Sequence, residues 1–324
     1  NIAGSKNMPG AAVISTLAAL RSGAGIVTLA STDMVADIAA SHFCEATFLR
    51  CKADSEGQIS TESMRDLAMA LLKSSACLIG CGLGGSENTS SVLRTVLENS
   101  VSPIIVDADG INCLSHDINI IRTAKAPVIL TPHMGEMARL IKRSVAEIKA
   151  DAFRIAHDFA RQWNVVLVLK DAATIIALPT GELHFNTTGT PGMARGGSGD
   201  MLAGMIAALV INILCCIGLA HAFGKGAGFA CGLIFLNVIF ICIIAFNKNI
   251  VYVGDGYNSN NNYYNPYGSN GYGQQYGQNM YGNGANQQYG QNPYGTAQGG
   301  DAQNSYGTSQ QQSWNDEYNN KDYE

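Results

Sequence analysis

NTTGTPGMARGGSGDMLAG, from Asn186 to Gly204, sets a glycine-rich bend and an aspartate at the head of an apolar helix. Gly196, Gly197 and Gly199, around Ser198, can turn several backbone N–H groups toward one point, because glycine reaches positive φ freely and has no Cβ to hold a ligand away. Beyond the bend, Met201, Leu202, Met205, Ile206, Leu209 and Val210 recur at helical spacing. An anion in the bend would therefore meet a helix N-terminus, where unpaired N–H groups and the macrodipole favour negative charge. Asp200 stands beside it. Bound phosphate repels such a carboxylate, and the role that offsets this is to accept a proton from a hydroxyl attacking phosphorus; the plainer reading is a helix cap.

Upstream of this stretch, short apolar runs alternate with helical patterns. Strands are expected at Ile26–Leu29, Cys77–Gly80, Ile104–Val106, Val128–Leu130 and Val165–Leu169, and helices at Ala11–Arg21, Thr61–Lys73, Thr89–Glu98 and Val145–Trp163. The order is a βαβ series, so the expected fold is α/β with a mostly parallel sheet and helices on both faces. Thr174–Leu178 and Glu182–Asn186, joined through Pro179-Thr180-Gly181, read as a hairpin. In such sheets ligands sit outside the carboxyl ends of the strands. Gly82, Asp107, His133, Lys170 and the 196–200 bend all follow strand ends or open helices, which predicts their convergence.

Gly80, Gly82 and Gly85 fit a dinucleotide-binding glycine pattern between a strand and a helix, with Asp107 further on; the alternative is a tight turn with no ligand. His133, on a loop after an apolar strand, could bond a carboxamide or ribose, or simply be solvated. Glu136 could cap the helix it opens. Asp107 and Asp109 suit an indirect magnesium or ribose role, or helix capping.

Six further blocks carry a resemblance: GSKNMPGAA at Gly4–Ala12, RSGAGIVTLA at Arg21–Ala30, GCGLGG at Gly80–Gly85, VDADGIN at Val106–Asn112, TPHMGEMARL at Thr131–Leu140 and LKDAATII at Leu169–Ile176. With the Gly196–Asp200 bend, residues 1–210 resemble the ADP/ATP-dependent NAD(P)H-hydrate dehydratases of the ribokinase-like fold. The resemblance implies repair of the 6S hydrates of NADH and NADPH, with ADP or ATP and Mg²⁺, by phosphorylation of the ring hydroxyl and loss of phosphate. It implies Asp200 as catalytic base. It places Gly10, Ala11, Ala12, Gly82, Gly84, His133 and Asp200 against the hydrate, and Lys170, Asp171, Ala172, Ala173, Thr174, Gly196, Gly197, Ser198 and Gly199 against the nucleotide, with no protein-held metal. Asp171 departs from the family's usual glycine and adds bulk and negative charge near a polyphosphate. Relative to the family, the domain is expected to be truncated at both ends, with Asn1-Ile2-Ala3 falling at the end of the first core strand.

Three materials make up the 324 residues: a globular domain over 1–210, a hydrophobic segment over 211–254 and a Gly/Asn/Gln/Tyr-rich tail over 255–324. Met205–Phe223 and Gly226–Phe246 hold no formal charge. Together they suggest an apolar helical hairpin, the first arm either buried or membrane-crossing, the second a membrane segment at 226–246. FGKGAGFACGLIFLNVIF resembles the last membrane helix of small uncharacterised bacterial membrane proteins, which suggests a junction near Leu209–Ile211. The tail lacks core-forming aliphatics and is expected to be disordered.

A net charge of −5 with no basic face excludes a nucleic-acid partner. Nine cysteines without a CxxC pair read as reduced residues of a cytosolic chain, with no signal peptide at Asn1–Ser5. The expectation is a cytoplasmic catalytic domain held at a membrane, with a homo-oligomer left open. Two other readings remain: a small-molecule, vitamin-precursor kinase of the same fold, and an inactive membrane fusion or mis-joined fragment.

Overall fold

Alternate residues of the expected strands turn to opposite faces of a sheet, and both sets are apolar. In the computed structural model, which describes residues 1–247 and 249–254, Cys77, Ile79, Ile104, Val106, Val128 and Leu130 pack into one core cluster. Their neighbours Leu78, Ile105 and Ile129 join a second cluster on the other face. Strands apolar on both faces must be covered on both, and they are. The chain divides into two units, Asn1–Gly268 and Ser269–Glu324, and the described residues all belong to the first. Lys248 and the expected disordered tail lie outside the described residues.

The strands are β1 (Thr28–Thr32), β2 (Thr47–Cys51), β3 (Cys77–Ile79), β4 (Ile104–Val106), β5 (Val128–Leu130), β6 (Val166–Leu169), β7 (Thr174–Ala177) and β8 (Leu183–Asn186). β3 to β6 run parallel in sequence order, and β7 and β8 extend the sheet antiparallel as the expected hairpin. β1 and β2 form a separate parallel pair. Ile2 joins the two parts by pairing in parallel with both Ala30 and Ile79. Five backbone bonds make the seam: Ile2 N–H to Leu78 O at 2.8 Å, Ala30 N–H to Asn1 O at 2.8 Å, Gly4 N–H to Cys81 O at 2.8 Å, Ala3 N–H to Ala30 O at 3.3 Å and Gly80 N–H to Ile2 O at 3.3 Å.

The helices are α1 (Pro9–Arg21), α2 (Asp33–Ala40), α3 (Met64–Leu71), α4 (Glu87–Asn99), α5 (Ala108–Leu114), α6 (Met134–Ile141), α7 (Val145–Ala150), α8 (Ala152–Trp163), α9 (Ser198–Ala222), α10 (Ala227–Phe235) and α11 (Asn237–Phe246). The single helix expected over Val145–Trp163 is two, because Asp151 leaves helical geometry at φ −143°. β2 and α2 escaped sequence reasoning, each being short, whereas α5 and α6 begin where helix starts were expected, at Asp107–Asp109 and beside Glu136.

α9 is one helix of 25 residues, about 37 Å long, so the expected boundary at residue 210 falls inside it. Of the expected stripe, Met201, Met205 and Leu209 stay exposed and Leu202, Ile206 and Val210 are half-buried, while the fully buried face is Ala203, Gly204, Ala207 and Ala208. Small residues let it approach α1 closely. The expected apolar segment at 226–246 is not one helix either: Leu236 breaks it at φ −126°, ψ 44°. α10 and α11 have nine and ten residues, each about 15 Å long, half the ~30 Å hydrocarbon thickness. Among the described helices, α9 alone is long and apolar enough to cross a membrane by length and composition.

Candidate active site

β3 leaves the sheet at Ile79 and turns through Gly80–Gly85. Gly80 takes φ 124°, and a Cβ there would collide with the carbonyl oxygen of Asp107 at the neighbouring strand exit. At Gly82, φ 66°, a Cβ would stand 2.7 Å from Ala11 Cβ; at Gly84, φ 86°, it would stand 2.5 Å from Gln58 Cδ. Protein thus fills the space these glycines leave, and the tight turn accounts for both. The turn also brings Gly82 onto Ala11 at the start of α1. Gly10, one residue before, is open, whereas Ala12 is fully buried beneath Gly4 and supports the turn rather than lining a surface.

Asp107 occupies the N-cap position of α5, but its carboxylate caps nothing. It is 1% exposed and accepts from Thr131 Oγ1 at 2.6 Å and Lys170 Nζ at 2.8 Å. Helix capping, one expectation for this residue, is therefore replaced by a buried ion pair. The next residue, Ala108, holds φ 46°, a left-handed conformation that costs an alanine free energy. Asp109 accepts from the Gly84 amide at 2.8 Å and ties the β3 and β4 exits together.

His133 caps α6. Its Nδ1 accepts from the amides of Gly135 at 2.9 Å and Glu136 at 3.3 Å, while Glu136 accepts from the His133 amide at 2.8 Å. Those bonds require Nδ1 to be unprotonated, so the neutral ring carries its proton on Nε2, which lies half-exposed 3.4 Å from Glu136 Oε1. Glu136 is the other half of this capping box, and burial pushes its carboxyl above the ordinary value.

Lys170 ends β6 and is held by its own amide, which donates to Pro132 O at 2.8 Å, so the exits of β5 and β6 are adjacent. Asp171 turns its carboxylate to Lys149, 3.4 Å away, which draws its charge outward. Ala172 and Ala173 are exposed, and Thr174 opens β7 against Asn186. A Cβ at Gly189 would lie 3.3 Å from Ala172 O, so the loop leading to the glycine bend passes over this segment.

Gly197 is the N-cap of α9 at φ 85° and makes no side-chain capping bond. The amides of Gly196, Gly197, Gly199 and Asp200 donate to no acceptor among the described residues. Asp200, third residue of the helix, lies close to Cys81 and Asp107. Burial pushes its carboxyl up to about 6; the carboxylates of Asp107 and Asp109 raise it further, and Cys81 and Lys170 oppose the shift. A base poised there is mostly ionised at neutral pH yet retains proton affinity.

Sequence reasoning missed Cys81 and Thr131. Cys81 is fully buried, with Sγ 3.8 Å from Asp107 Oδ2, and burial holds its thiol well above the usual range. Cys81, Asp107 and Asp200 each bring one ligand atom within 4.8 Å of the others. The set does not fit Mg²⁺, which takes oxygen ligands, because one donor is a soft thiol and Lys170 already neutralises Asp107.

Residues 2–222, a span that includes the glycine bend, match the model of the NAD(P)H-hydrate dehydratase family. The chain belongs to this family. It is 38% identical over 208 residues to the bifunctional NAD(P)H-hydrate repair enzyme of Moorella thermoacetica, covering 64% of this chain and 39% of that one. The chain spans about two fifths of the bifunctional relatives it matches. The crystal structure of the ADP/ATP-dependent NAD(P)H-hydrate dehydratase of Bacillus subtilis, grown with ATP and Mg²⁺ and soaked with CoA, is similar at TM-score 0.54 and 33% identity, covering 65% of this chain and 72% of that one. A ribokinase-like protein of Enterococcus faecalis shares the fold at TM-score 0.56 and 24% identity, over 74% and 86% of the two chains. The dehydratase-family fold is thus ribokinase-like, as the sequence blocks imply. The family match runs beyond Leu209–Ile211 through residue 222, to the end of α9.

Proposed function

We propose that this dehydratase-family chain restores NADH and NADPH from their 6S hydrates, using ADP or ATP, with Mg²⁺, as phosphoryl donor. One observation carries the reading: Asp200, with its carboxyl raised to about 6, sits on the same helical turn as amides that have no acceptor in the protein. The amides would receive the oxygens of the transferring phosphoryl group as charge develops on them. Asp200 would take the proton of the ring hydroxyl as its oxygen bonds to phosphorus and the donor's phosphoanhydride bond breaks. Loss of phosphate from that carbon, with a proton from the neighbouring carbon, restores the ring double bond. Lys170 to Thr174, with Gly196 to Gly199, would face the nucleotide. Gly10, Ala11, Gly82 and the Nε2–H of His133 would face the hydrate, with Gly84 and Ala12 supporting them.

The test is incubation of the purified chain with NADH hydrate, ADP and Mg²⁺. Recovery of reduced-nicotinamide absorbance is the expected result. A folded protein that gives none, and instead accumulates a stable phosphorylated alcohol from a vitamin precursor, would make it a kinase of the same fold.

A second reading concerns the region after Leu209, where Phe235 is 81% and Phe246 82% exposed and no charged side chain occurs between Gly226 and Phe246. That surface supports attachment to the face of a bilayer.

A further inference from the structure

Asp107 stands where four strand exits meet, its carboxyl group buried. Its Oδ1 accepts from Thr131 Oγ1 at 2.6 Å and from Lys170 Nζ at 2.8 Å. Its Oδ2 faces Cys81 Sγ at 3.8 Å and would lie 3.8 Å from a Cβ on Gly199. Lys170 Nζ, with its side chain 19% exposed, would lie 3.5 Å from the same Cβ. The ion pair therefore abuts the first turn of α9, and the missing side chain of Gly199 leaves the ammonium uncovered toward the bend. Buried ion pairs add little net stability over apolar packing, so stability alone does not explain two charges here. A rigid cation beside a phosphoryl site is worth more, because its orientation is set before the reaction begins.

We propose that Asp107 is a positioning residue for phosphoryl transfer: its buried carboxylate, steadied by Thr131, holds the Lys170 ammonium against Gly199, between the anion-binding amides and Asp200. The inference rests on the phosphoryl-transfer reading above. Four groups face Asp200: Cys81 from the β3 exit, Asp107 and Asp109 from the β4 exit and α5, and Lys170 from the β6 exit. The pair thus sets the charge that Asp200 feels as well as the place where a phosphoryl oxygen finds its cation. Removing either member perturbs Asp200 in opposite senses. Losing the Asp107 charge removes a like neighbour and leaves the ammonium unopposed, so the Asp200 carboxyl titrates lower. Losing the Lys170 charge leaves Asp107 facing Asp200, so the carboxyl titrates higher.

The experiment has two arms. In the free protein, ¹³C-NMR titration of Asp200, assigned with D200N, is expected to move down by about one pH unit in D107N and up by about one in K170M. In turnover with NADH hydrate and ADP, D107N is expected to lose at least about tenfold in kcat, while its calorimetric Kd for ADP stays within about threefold of the parent. The D107N/K170M double variant leaves no unpaired buried charge. Its titration is expected to return to within about half a unit of the parent, with kcat as low as the worse single variant. Asp200 midpoints that stay put or move the same way in both single variants overturn the proposal, as does a D107N or double-variant kcat within about twofold of the parent. The titration arm needs no substrate: a parent protein inactive on the hydrate with opposite shifts would sink the dehydratase reading and uphold the pair's hold on Asp200.

Discussion

Gly204 of α9 rests directly on the Ser15 carbonyl of α1, with no room for a methyl group between them. Ala18 Cβ and Ala19 N, at 2.9 and 3.1 Å from the same point, close the space from the side. G204A is therefore expected to force the two helices apart at a cost of about 1–3 kcal/mol. Because Asp200 lies one turn earlier on α9, kcat should fall with stability. Thermal unfolding and turnover measured on one preparation check this, and an unchanged melting temperature would contradict the packing described.

Asp200 is a stability liability that the proposed chemistry explains. Its folded carboxyl titrates at about 6 against an ordinary 3.8, so folding disfavours the ionised form. The sign follows: the penalty is absent below pH 4, grows as pH rises from 4 to 6, and is complete above 6. At pH 8, D200N should unfold at higher denaturant by about 1–2 kcal/mol, less than the full two-unit linkage because the carboxylate is partly in water, while turnover disappears. The gain should vanish below pH 4. A D200N protein with the parent's turnover would remove the base from the mechanism.

His133 does two separable things. Its Nδ1 caps α6, and its Nε2, on a half-exposed ring edge 3.4 Å from Glu136 Oε1, is the atom proposed to meet the hydrate. H133A should lose about 1 kcal/mol of stability, whereas H133N, whose amide oxygen can accept the same bonds, should keep most of it. Both should raise KM for the hydrate by about tenfold, the worth of one hydrogen bond to a polar substrate. Equal stability of the two variants would argue against the cap, and an unchanged KM against the contact.

The surface of α10 and α11 offers a direct trial of membrane attachment. The full chain is expected to float with neutral phosphatidylcholine vesicles, since no charge within 226–246 asks for an anionic lipid. F235D/F246D, at positions 81% and 82% exposed, should remain at the bottom of the gradient without loss of fold. Sedimentation of the parent chain away from vesicles would dispose of the idea.

The sheet was legible where apolar runs were bounded by turns: β4 and β5 fall on the expected residues, and β3, β6 and the hairpin within one or two. The meeting of Asp107, Lys170 and the glycine bend was also legible, because parallel strands deliver their exits to one edge. What the sequence withheld depends on partners distant in the chain. Thr131 and Lys170 recruit Asp107 away from its cap across 24 and 63 positions, and no local pattern encodes that. The buried face of α9 was hidden for a related reason. Hydrophobicity points to Met201 and Met205, while close approach to α1 selects Ala203, Gly204 and Ala207.

Ile2 is the keel of the molecule. The strand pair β1–β2 is stitched to the larger sheet by the backbone of Asn1–Gly4, which bonds to Ala30 on one side and to Leu78, Gly80 and Cys81 on the other. Exchange protection at the Ala30 and Gly80 amides should therefore rise and fall together, and Gly80 leads straight into the Cys81 turn beneath Asp200. Hydrogen exchange at those two amides would report on the hinge under that carboxylate.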